Sequence, residues 1–558
     1  MVGFSVITLL MPVMTSHRQT IHLLFPLLLV VAAAAAASPF PASNQPTTHL
    51  YPIAETNRSP VELLTLDSLA GFLARDTPRL FRVATTDWQH NTQDSYSLWL
   101  SQLILQGVTV DNSLLTSNLT TILQTFVPTA PRFIQCDATN ESVSVAITLA
   151  AASDSLLLIA GDDATTAVLT SMHAVLTHDV RHQLVDDAIT SKVLSNLSRS
   201  VFVFQDPSKS QFLADWSIYA RASNMPWNSS STAQQNALER VVDHGAAFGW
   251  GPENDYVSTL NHHGIWVHAS DYNKNFPALA NGKKSRVAPS LPPPPPPPPL
   301  PPPTTTPPAK HTVAFMMTDG DNLQWTLGPW STANTWYGSS TRGAFPMGWT
   351  LSPSIADLAP SALSYFFSTK TNNDEFVAGP SGYGYMYPTT LPLSNITGFS
   401  TFTFDAMASF QMTTMNVLGQ NDAAPNCTLL KEYQSHLPNG MVYYSWGDGY
   451  SGLHGKVWSC QGKPIVSGKW SLWGNSTDTT SDMVGVAAMV EKLLGVQDDR
   501  DGSKLSGYTF VPVHAWSHSY EDVVSIVKQL DKELFDVVLP SELLRRVRLF
   551  VKEGVVVL

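Results

Sequence analysis

The sequence predicts an α/β protein that ends in a (β/α)8 TIM-like barrel, residues 310–558, preceded by smaller α/β domains at residues 45–290. Three observations predict this architecture. The 558 residues exceed what one hydrophobic core usually supports, and a proline-rich run at residues 291–309 divides them. Eight strand-like runs follow that division, the number expected for a barrel of about 250 residues.

Residues 1–37 predict a secretory signal peptide. His17 and Arg18 precede an apolar run at 21–37, which ends in the small residues that signal peptidase requires. We therefore expect a secreted protein, extracellular or in the cell wall, that meets no membrane in its mature form unless this segment stays uncleaved.

Composition and cysteine usage agree with that compartment. A net charge of -12 offers no basic surface to a phosphate backbone, so no nucleic-acid partner is expected. Three cysteines are too few for a disulfide scaffold. Cys427 and Cys460 fall in the same predicted domain and are the expected pair, which leaves Cys136 buried and free.

Strands and helices alternate before the proline-rich run. Apolar runs predict strands at 131–136, 156–160, 201–204 and 264–268, and helices at 141–152 and 239–247. Gly161 lacks the further glycines of a dinucleotide site, so no nucleotide cofactor is expected. The run at 291–309 contains eight consecutive prolines and predicts a polyproline II spacer or an exposed loop.

The predicted barrel strands have acidic residues at their ends, where barrel chemistry lies. The strands are predicted at 312–317, 345–350, 375–378, 415–418, 441–445, 464–467, 508–513 and 537–539, with helices at 482–494 and 520–535. Asp319 and Asp321 follow the first strand, and their proximity should separate their pKa values and keep one protonated as a general acid. Asp448, after the fifth strand, is a candidate partner from across the barrel.

A tyrosine-rich and glycine-rich segment follows the third strand. Gly382, Gly384, Tyr385, Tyr387 and Pro388 have the spacing of the motif that names the GxGYxYP family of glycoside hydrolases, which the chain resembles. The resemblance is strong from about 310 to 558, as at 315–325, 346–353 and 513–517, and weaker from about 50 to 285, as at 248–253 and 268–272. It implies a barrel and action on glycosides.

Aromatic and polar residues near the same strand ends are the candidate sugar contacts. Aromatic faces stack on pyranose rings, and polar tips bind hydroxyl groups. The candidates are Asn322, Tyr383, Tyr385, Trp446, Trp473, His514 and Trp516, with Trp250 and Glu253 of the N-terminal region completing the cleft.

The function predicted is a secreted glycoside hydrolase that acts on a polysaccharide or glycoconjugate through paired carboxylates, with no cofactor and no metal ion. Many barrel glycosidases carry glutamates after strands four and seven, where this chain has Asp422 and His514, so the catalytic pair stays open. Asp319 and Asp321 with His514 and His518 leave a metal-dependent polysaccharide deacetylase or esterase as one alternative. A non-catalytic carbohydrate-binding protein is the other.

Overall fold

The computed structural model describes residues 40–551 apart from 85–94, 128–129, 139, 243, 283–309, 422, 448 and 497–504. The predicted signal peptide, the proline-rich run and Asp448 lie outside the described residues. Within the described ranges, no helix is long and apolar enough to cross a membrane.

Three parallel sheets with helices between their strands build residues 40–282. Their elements are β1 (His49–Ala54), α1 (Pro60–Ala74), β2 (Leu80–Val83), α2 (Ser95–Leu105), β3 (Thr109–Val110), α3 (Leu119–Phe126), β4 (Arg132–Cys136), α4 (Glu141–Ser153), β5 (Leu156–Ile159), α5 (Asp163–Ser171), β6 (Val175–Asp179), α6 (Val185–Ala188), α7 (Ser191–Leu194), β7 (Val201–Phe204), α8 (Ala214–Tyr219), β8 (Ser223–Met225), α9 (Thr232–Leu238), β9 (Gly245–Gly249), α10 (Glu253–His262), β10 (Ile265–Ala269) and α11 (Phe276–Ala280). The strand orders are β2-β1-β3, β5-β4-β6 and β10-β9-β7-β8.

The helix predicted at 239–247 is wrong. Helix α9 ends at Leu238, and β9 runs between β10 and β7 in the middle of its sheet. A central parallel strand is buried on both faces, so its small residues show no alternation that would distinguish it from a helix.

Two sheets build the part after residue 310. Their elements are β11 (His311–Met317), α12 (Leu323–Thr326), α13 (Pro329–Thr332), β12 (Met347–Leu351), α14 (Ile355–Leu358), α15 (Pro360–Thr369), β13 (Asp374–Ala378), α16 (Leu393–Ser409), β14 (Asn416–Gln420), α17 (Cys427–His436), β15 (Met441–Trp446), β16 (Val457–Cys460), β17 (Lys463–Ser467), β18 (Ser471–Leu472), β19 (Met483–Val484), α18 (Val486–Gly495), β20 (Tyr508–Val513), α19 (Tyr520–Val527), β21 (Phe535–Val537) and α20 (Pro540–Arg548). The orders are β13-β12-β11-β20-β18-β19, with β21 beside β11, and β14-β15-β17-β16.

The prediction of an α/β fold with parallel strands is confirmed. A closed barrel is not seen among the described strands: a single bridge between Ala378 and Met415 connects the two sheets, and no ladder joins β17 to β18. The strand predicted at 537–539 lies two residues earlier, as β21, and among the described strands it pairs with the start of β11, at residues 311–313. The short strand β18, which the sequence analysis missed, pairs with β20 instead.

The cysteine predictions are confirmed. Cys427 and Cys460 form a disulfide, and Cys136 is free and fully buried. The disulfide fastens the start of α17 to the end of β16.

The GxGYxYP segment joins the N-terminal sheets to the C-terminal part. Tyr385 and Val267 of β10 exchange two backbone hydrogen bonds, of 2.8 and 3.0 Å. The backbone N–H of Tyr387 donates to Asn261 Oδ1 of α10 at 2.8 Å. Gly384 lies so close to Trp266 that a Cβ atom would fall 2.5 Å from its ring. A side chain at this position would therefore push the two parts of the protein apart.

We expect Gly384→Ala to lower the free energy of unfolding by about 2 kcal/mol, because the added methyl overpacks a rigid contact. Urea unfolding followed by tryptophan fluorescence measures this change. Gly495→Ala is the matched control, since nothing lies within 4 Å of a Cβ atom at the end of α18. Equal stability of the two variants would contradict this prediction, because it would show that the Trp266 ring can shift to accommodate the methyl group at little cost.

Candidate active site

The turn after β11 carries both candidate aspartates and is fixed by its two neighbouring strands. The N–H of Thr318 donates to the carbonyl of Val513, which ends β20, at 2.9 Å. The N–H of Gly320 donates to Thr350 Oγ1 of β12 at 2.8 Å. A Cβ atom on Gly320 would lie 1.6 Å from the Thr350 carbonyl oxygen, so only glycine fits between the aspartates.

Asp319 is oriented by donors on both of its oxygens. The hydroxyl of Thr318 donates to Oδ2, and the indole N–H of Trp516 donates to Oδ1 at 3.2 Å. Its backbone has a φ of 68°, in the left-handed region that aspartate tolerates better than most residues. The carboxylate is therefore held in one direction by its own turn and by the residues that follow β20.

Asp321 is a buried carboxyl group with 7% of its surface exposed. Burial raises its pKa well above the ordinary value, and the negative charges of Asp319 and Glu253 raise it further. Asp321 therefore keeps its proton at pH values where an exposed aspartate has lost it.

Glu253 reaches the site from the N-terminal sheets. It is the first residue of α10, and the phenol of Tyr385 donates a hydrogen bond to its Oε1. Burial and the charge of Glu253 raise the pKa of Tyr385 well above its ordinary value, so this phenol stays a neutral donor. Trp250 packs edge-on against the Tyr385 ring, with the ring centres 5.4 Å apart.

Aromatic rings line the same strand ends. Tyr444 and Tyr450 stack with their centres 4.1 Å apart, and Trp473 lies face to face with His514 at 3.5 Å. Burial and the nearby charge of Asp319 raise the pKa of both tyrosines well above the ordinary value. Burial lowers the pKa of His514, which favours its neutral form.

Most of the predicted site residues gather around these carboxyl groups. Contacts or charge interactions connect Asp319, Asp321, Glu253, Trp250, Tyr385, Trp473, His514 and Trp516. Trp516 is 38% exposed and packs against Trp325, with the ring centres 4.1 Å apart and the ring planes tilted by 48°. It is the most exposed of the candidate tryptophans whose side chains are described.

Other predicted residues lie elsewhere or are not described. Asn322 caps α12 by accepting from the N–H of Trp325 at 3.3 Å. Tyr383 is 1% exposed, and its phenol donates to Asp357. Trp446 ends β15, but its side chain, like the whole of Asp448, is outside the described part of the chain.

The sequence analysis did not select Thr318 or Tyr444. Thr318 directly follows an apolar strand, and no sequence pattern distinguished it. Its hydroxyl nevertheless donates a hydrogen bond to Asp319. Tyr444 lies within β15, where an aromatic residue normally indicates packing alone. Strand alternation could have identified Tyr444, because residues two apart on a strand share a face and Tyr444 is two residues before the candidate Trp446.

The two histidines proposed as metal ligands have hydrogen-bond partners of their own. His514 Nδ1 lies 2.9 Å from Ser517 Oγ. His518 Nε2 lies 2.7 Å from the carbonyl oxygen of Gly474 and must donate there, since a carbonyl only accepts. In the described ranges, no group of three or more His, Cys, Asp or Glu residues has the geometry to hold a metal ion.

The fold is α/β with parallel strands, and the candidate site combines residues of the N-terminal region with residues at strand ends of the C-terminal part. The chain belongs to the GxGYxYP family. Residues 309–548 match the model described as "GxGYxYP putative glycoside hydrolase C-terminal domain", and residues 199–281 match the "GxGYxYP third domain".

One solved structure has the same fold along nearly the whole chain. It is described as a putative hydrolase from Bacteroides thetaiotaomicron, with a TM-score of 0.74 and 20% sequence identity. The match covers 92% of this chain and 98% of that one. No curated protein matches the sequence.

We expect Asp321→Asn to stabilise the fold above mildly acidic pH. A carboxyl whose pKa is raised by folding stabilises the protein fully below its unfolded pKa, about 3.9, and this contribution is lost as the pH rises through the folded pKa. Asparagine escapes that loss, so the variant should gain on the order of 1 kcal/mol near neutral pH and nothing at pH 3. Thermal unfolding at a series of pH values measures the difference.

Asp478→Asn is the control for this experiment. The Asp478 carboxyl is exposed, and hydrogen bonds from Thr480 lower its pKa, so its replacement should give no gain at neutral pH. A pH-independent effect of Asp321→Asn would contradict the assignment of a protonated Asp321.

Proposed function

We propose that this protein is a glycoside hydrolase that acts on a polysaccharide or glycoconjugate and uses Asp321 as its proton donor. The observation that carries the proposal is the buried Asp321 carboxyl, whose pKa is raised by burial and by Asp319. It lies where β11 ends, among aromatic rings that include the partly exposed Trp516. A carboxylic acid held protonated beside a second carboxylate is what cleavage of a glycosidic bond requires.

The chemistry follows from that proton. The bond between the anomeric carbon and the leaving oxygen breaks, its electron pair passes to the oxygen, and Asp321 donates the proton that neutralises it. An ionised carboxylate on the other side of the sugar assists the attack on the anomeric carbon. Asp319 keeps Asp321 protonated until the leaving oxygen takes the proton.

The sugar would lie against the aromatic residues that follow β18 and β20. Trp473 and His514 stack on each other, and Trp516 has an exposed face while its indole N–H holds Asp319. Stacking on such faces is compatible with the ring hydroxyls of a pyranose, which point outward to polar groups. A carbohydrate is therefore the partner that we propose.

The architecture and location belong to the same proposal. We propose that β11, β12, β13, β14, β15, β17, β18 and β20 follow one another as in an eight-stranded (β/α)8 barrel, with the pairings of β13 with β14 and of β17 with β18 interrupted. Barrel enzymes bind substrate at the carboxyl ends of their strands, where Asp319 and Asp321 lie. The apolar run at 21–37 supports secretion to the extracellular space or cell wall.

We expect Asp321→Asn to lower turnover of a natural glycoside by about 100-fold or more, because the leaving oxygen loses its proton donor. The loss should shrink with 2,4-dinitrophenyl glycosides, whose leaving group departs without a proton. Reducing-sugar and chromophore release from a panel of glycosides measure both effects, with Asp478→Asn as the control. An equal loss on both substrate types would remove Asp321 from the role of acid.

The same panel separates the alternatives. Acetate release that a chelator abolishes would indicate a metal-dependent deacetylase or esterase. Binding on a glycan array without turnover of any substrate would indicate a carbohydrate-binding protein.

We also expect Asp319→Asn to move the alkaline limb of the pH–rate profile to lower pH. Removing the neighbouring negative charge lowers the pKa of Asp321, so the acid loses its proton earlier as the pH rises. Measuring kcat/KM from pH 4 to 9 tests this, and an unmoved limb would show that another group sets it.

A further inference from the structure

We propose that Glu253, on α10 of the N-terminal region, is the ionised catalytic carboxylate that works opposite Asp321. The inference rests on the proposed glycosidase function and deepens it, because it assigns the second carboxylate to a different part of the chain. Tyr385 of the GxGYxYP segment becomes the positioning residue for that carboxylate.

Asp319 is poorly placed for this role. Acid and partner carboxylate flank the scissile bond from opposite sides, several ångströms apart. Asp319 and Asp321 project from one short turn, two residues apart, and Gly320 between them is fixed to β12. Both oxygens of Asp319 also accept hydrogen bonds, from Thr318 and from Trp516.

Glu253 comes from a separate element and faces the same space. The phenol of Tyr385 holds its Oε1, and the Tyr385 backbone is paired with β10, the strand after α10. The charge of Glu253 contributes to the raised pKa values of Asp321, Tyr444 and Tyr450. Together with the hydrogen bond from Tyr385, these charge interactions connect Glu253 to residues within or directly after β11 and β15.

Two features of the structure stabilise a negative charge on Glu253. It is the first residue of a ten-residue helix, where the backbone dipole stabilises negative charge. Tyr385 can only donate to it, since burial keeps that phenol protonated. A carboxylate that receives donors is stabilised as the anion, while Asp321 is kept as the acid.

The reaction then balances with these two groups and water. The Glu253 carboxylate supplies the electron pair that reaches the anomeric carbon, either directly or through a water molecule that it deprotonates. The bond from this carbon to the leaving oxygen breaks, and the oxygen takes the proton of Asp321. Water supplies the hydroxyl of the product sugar in both cases. After direct attack, the Asp321 carboxylate takes the proton of the water that cleaves the Glu253 ester. After attack by water, Glu253 carries the proton of that water and releases it to solvent, from which Asp321 regains its own.

The full-length protein and the glycoside that it turns over best test the assignment. We expect Glu253→Gln to lower kcat by about 100-fold or more with little change in KM. Asp255→Asn is the matched control on the same helix: its exposed carboxylate accepts from the indole of Trp227 at 2.9 Å, and an amide oxygen can do the same. This control should keep wild-type activity.

Tyr385→Phe distinguishes positioning from packing. We expect kcat to fall about tenfold, because one hydrogen bond to a charged group is lost. The acidic limb of the pH–rate profile should move to higher pH, because the carboxylate loses a donor that favours its ionised form. A purely structural role for Tyr385 would lower the melting temperature and leave the limb in place.

If Glu253→Gln folds poorly, a second variant tests the role of Glu253 through restoration of activity by small anions. In Glu253→Ala, added azide or formate should restore turnover, because a small anion can occupy the position of the missing carboxylate. Full activity of Glu253→Gln beside an inactive Asp321→Asn would overturn the role of Glu253 and leave the proposed function standing. A wild-type protein that cleaves no glycoside would overturn both.

Discussion

The two backbone hydrogen bonds between Tyr385 and Val267 are the contact on which the candidate site depends. They fasten the segment after β13 to β10, and Tyr387 adds a bond to Asn261 on α10. Glu253 begins that same helix, whereas Asp321 belongs to the turn after β11. Because the carboxyl groups come from different parts of the chain, their separation is set by this junction. Gly384 permits the close approach, since a Cβ atom at this position would lie 2.5 Å from the Trp266 ring.

The charges at the site oppose folding, and rigid packing around them offsets the cost. Burying Asp321 near Asp319 and Glu253 raises its pKa, which means that ionising it in the folded state is unfavourable. The turn cannot relax to separate the aspartates, because Gly320 contacts β12 and Thr318 contacts β20. Such an arrangement costs stability, as expected where a site requires a protonated carboxyl group for the proposed reaction.

Much of the fold and part of the site could be predicted from sequence. Long apolar runs identified β11 and β20, and the turn residues beside them identified Asp319 and Asp321, because local pattern and burial agree there. The two-residue strand β18 and the small-residue strand β9 were missed, since neither has a period to detect. Contacts between distant parts, such as Tyr385 with Glu253, leave no local pattern at all. The sequence analysis named both residues but assigned them to sugar binding.

The contact between Tyr385 and Glu253 changes the role that we assign to the GxGYxYP motif, from binding sugar to positioning other residues. A sugar platform needs an accessible ring face, yet Tyr383 and Tyr385 are 1% and 7% exposed, and both phenols donate to carboxylates, of Asp357 and Glu253. Tyrosine suits this use because its ring fills the junction while its hydroxyl reaches a charge at the edge. Trp516, which follows β20, is far more exposed, at 38%. In this protein, therefore, the motif connects α10 and β10 to the C-terminal part, and we propose the loops after β18 and β20 for contact with the sugar.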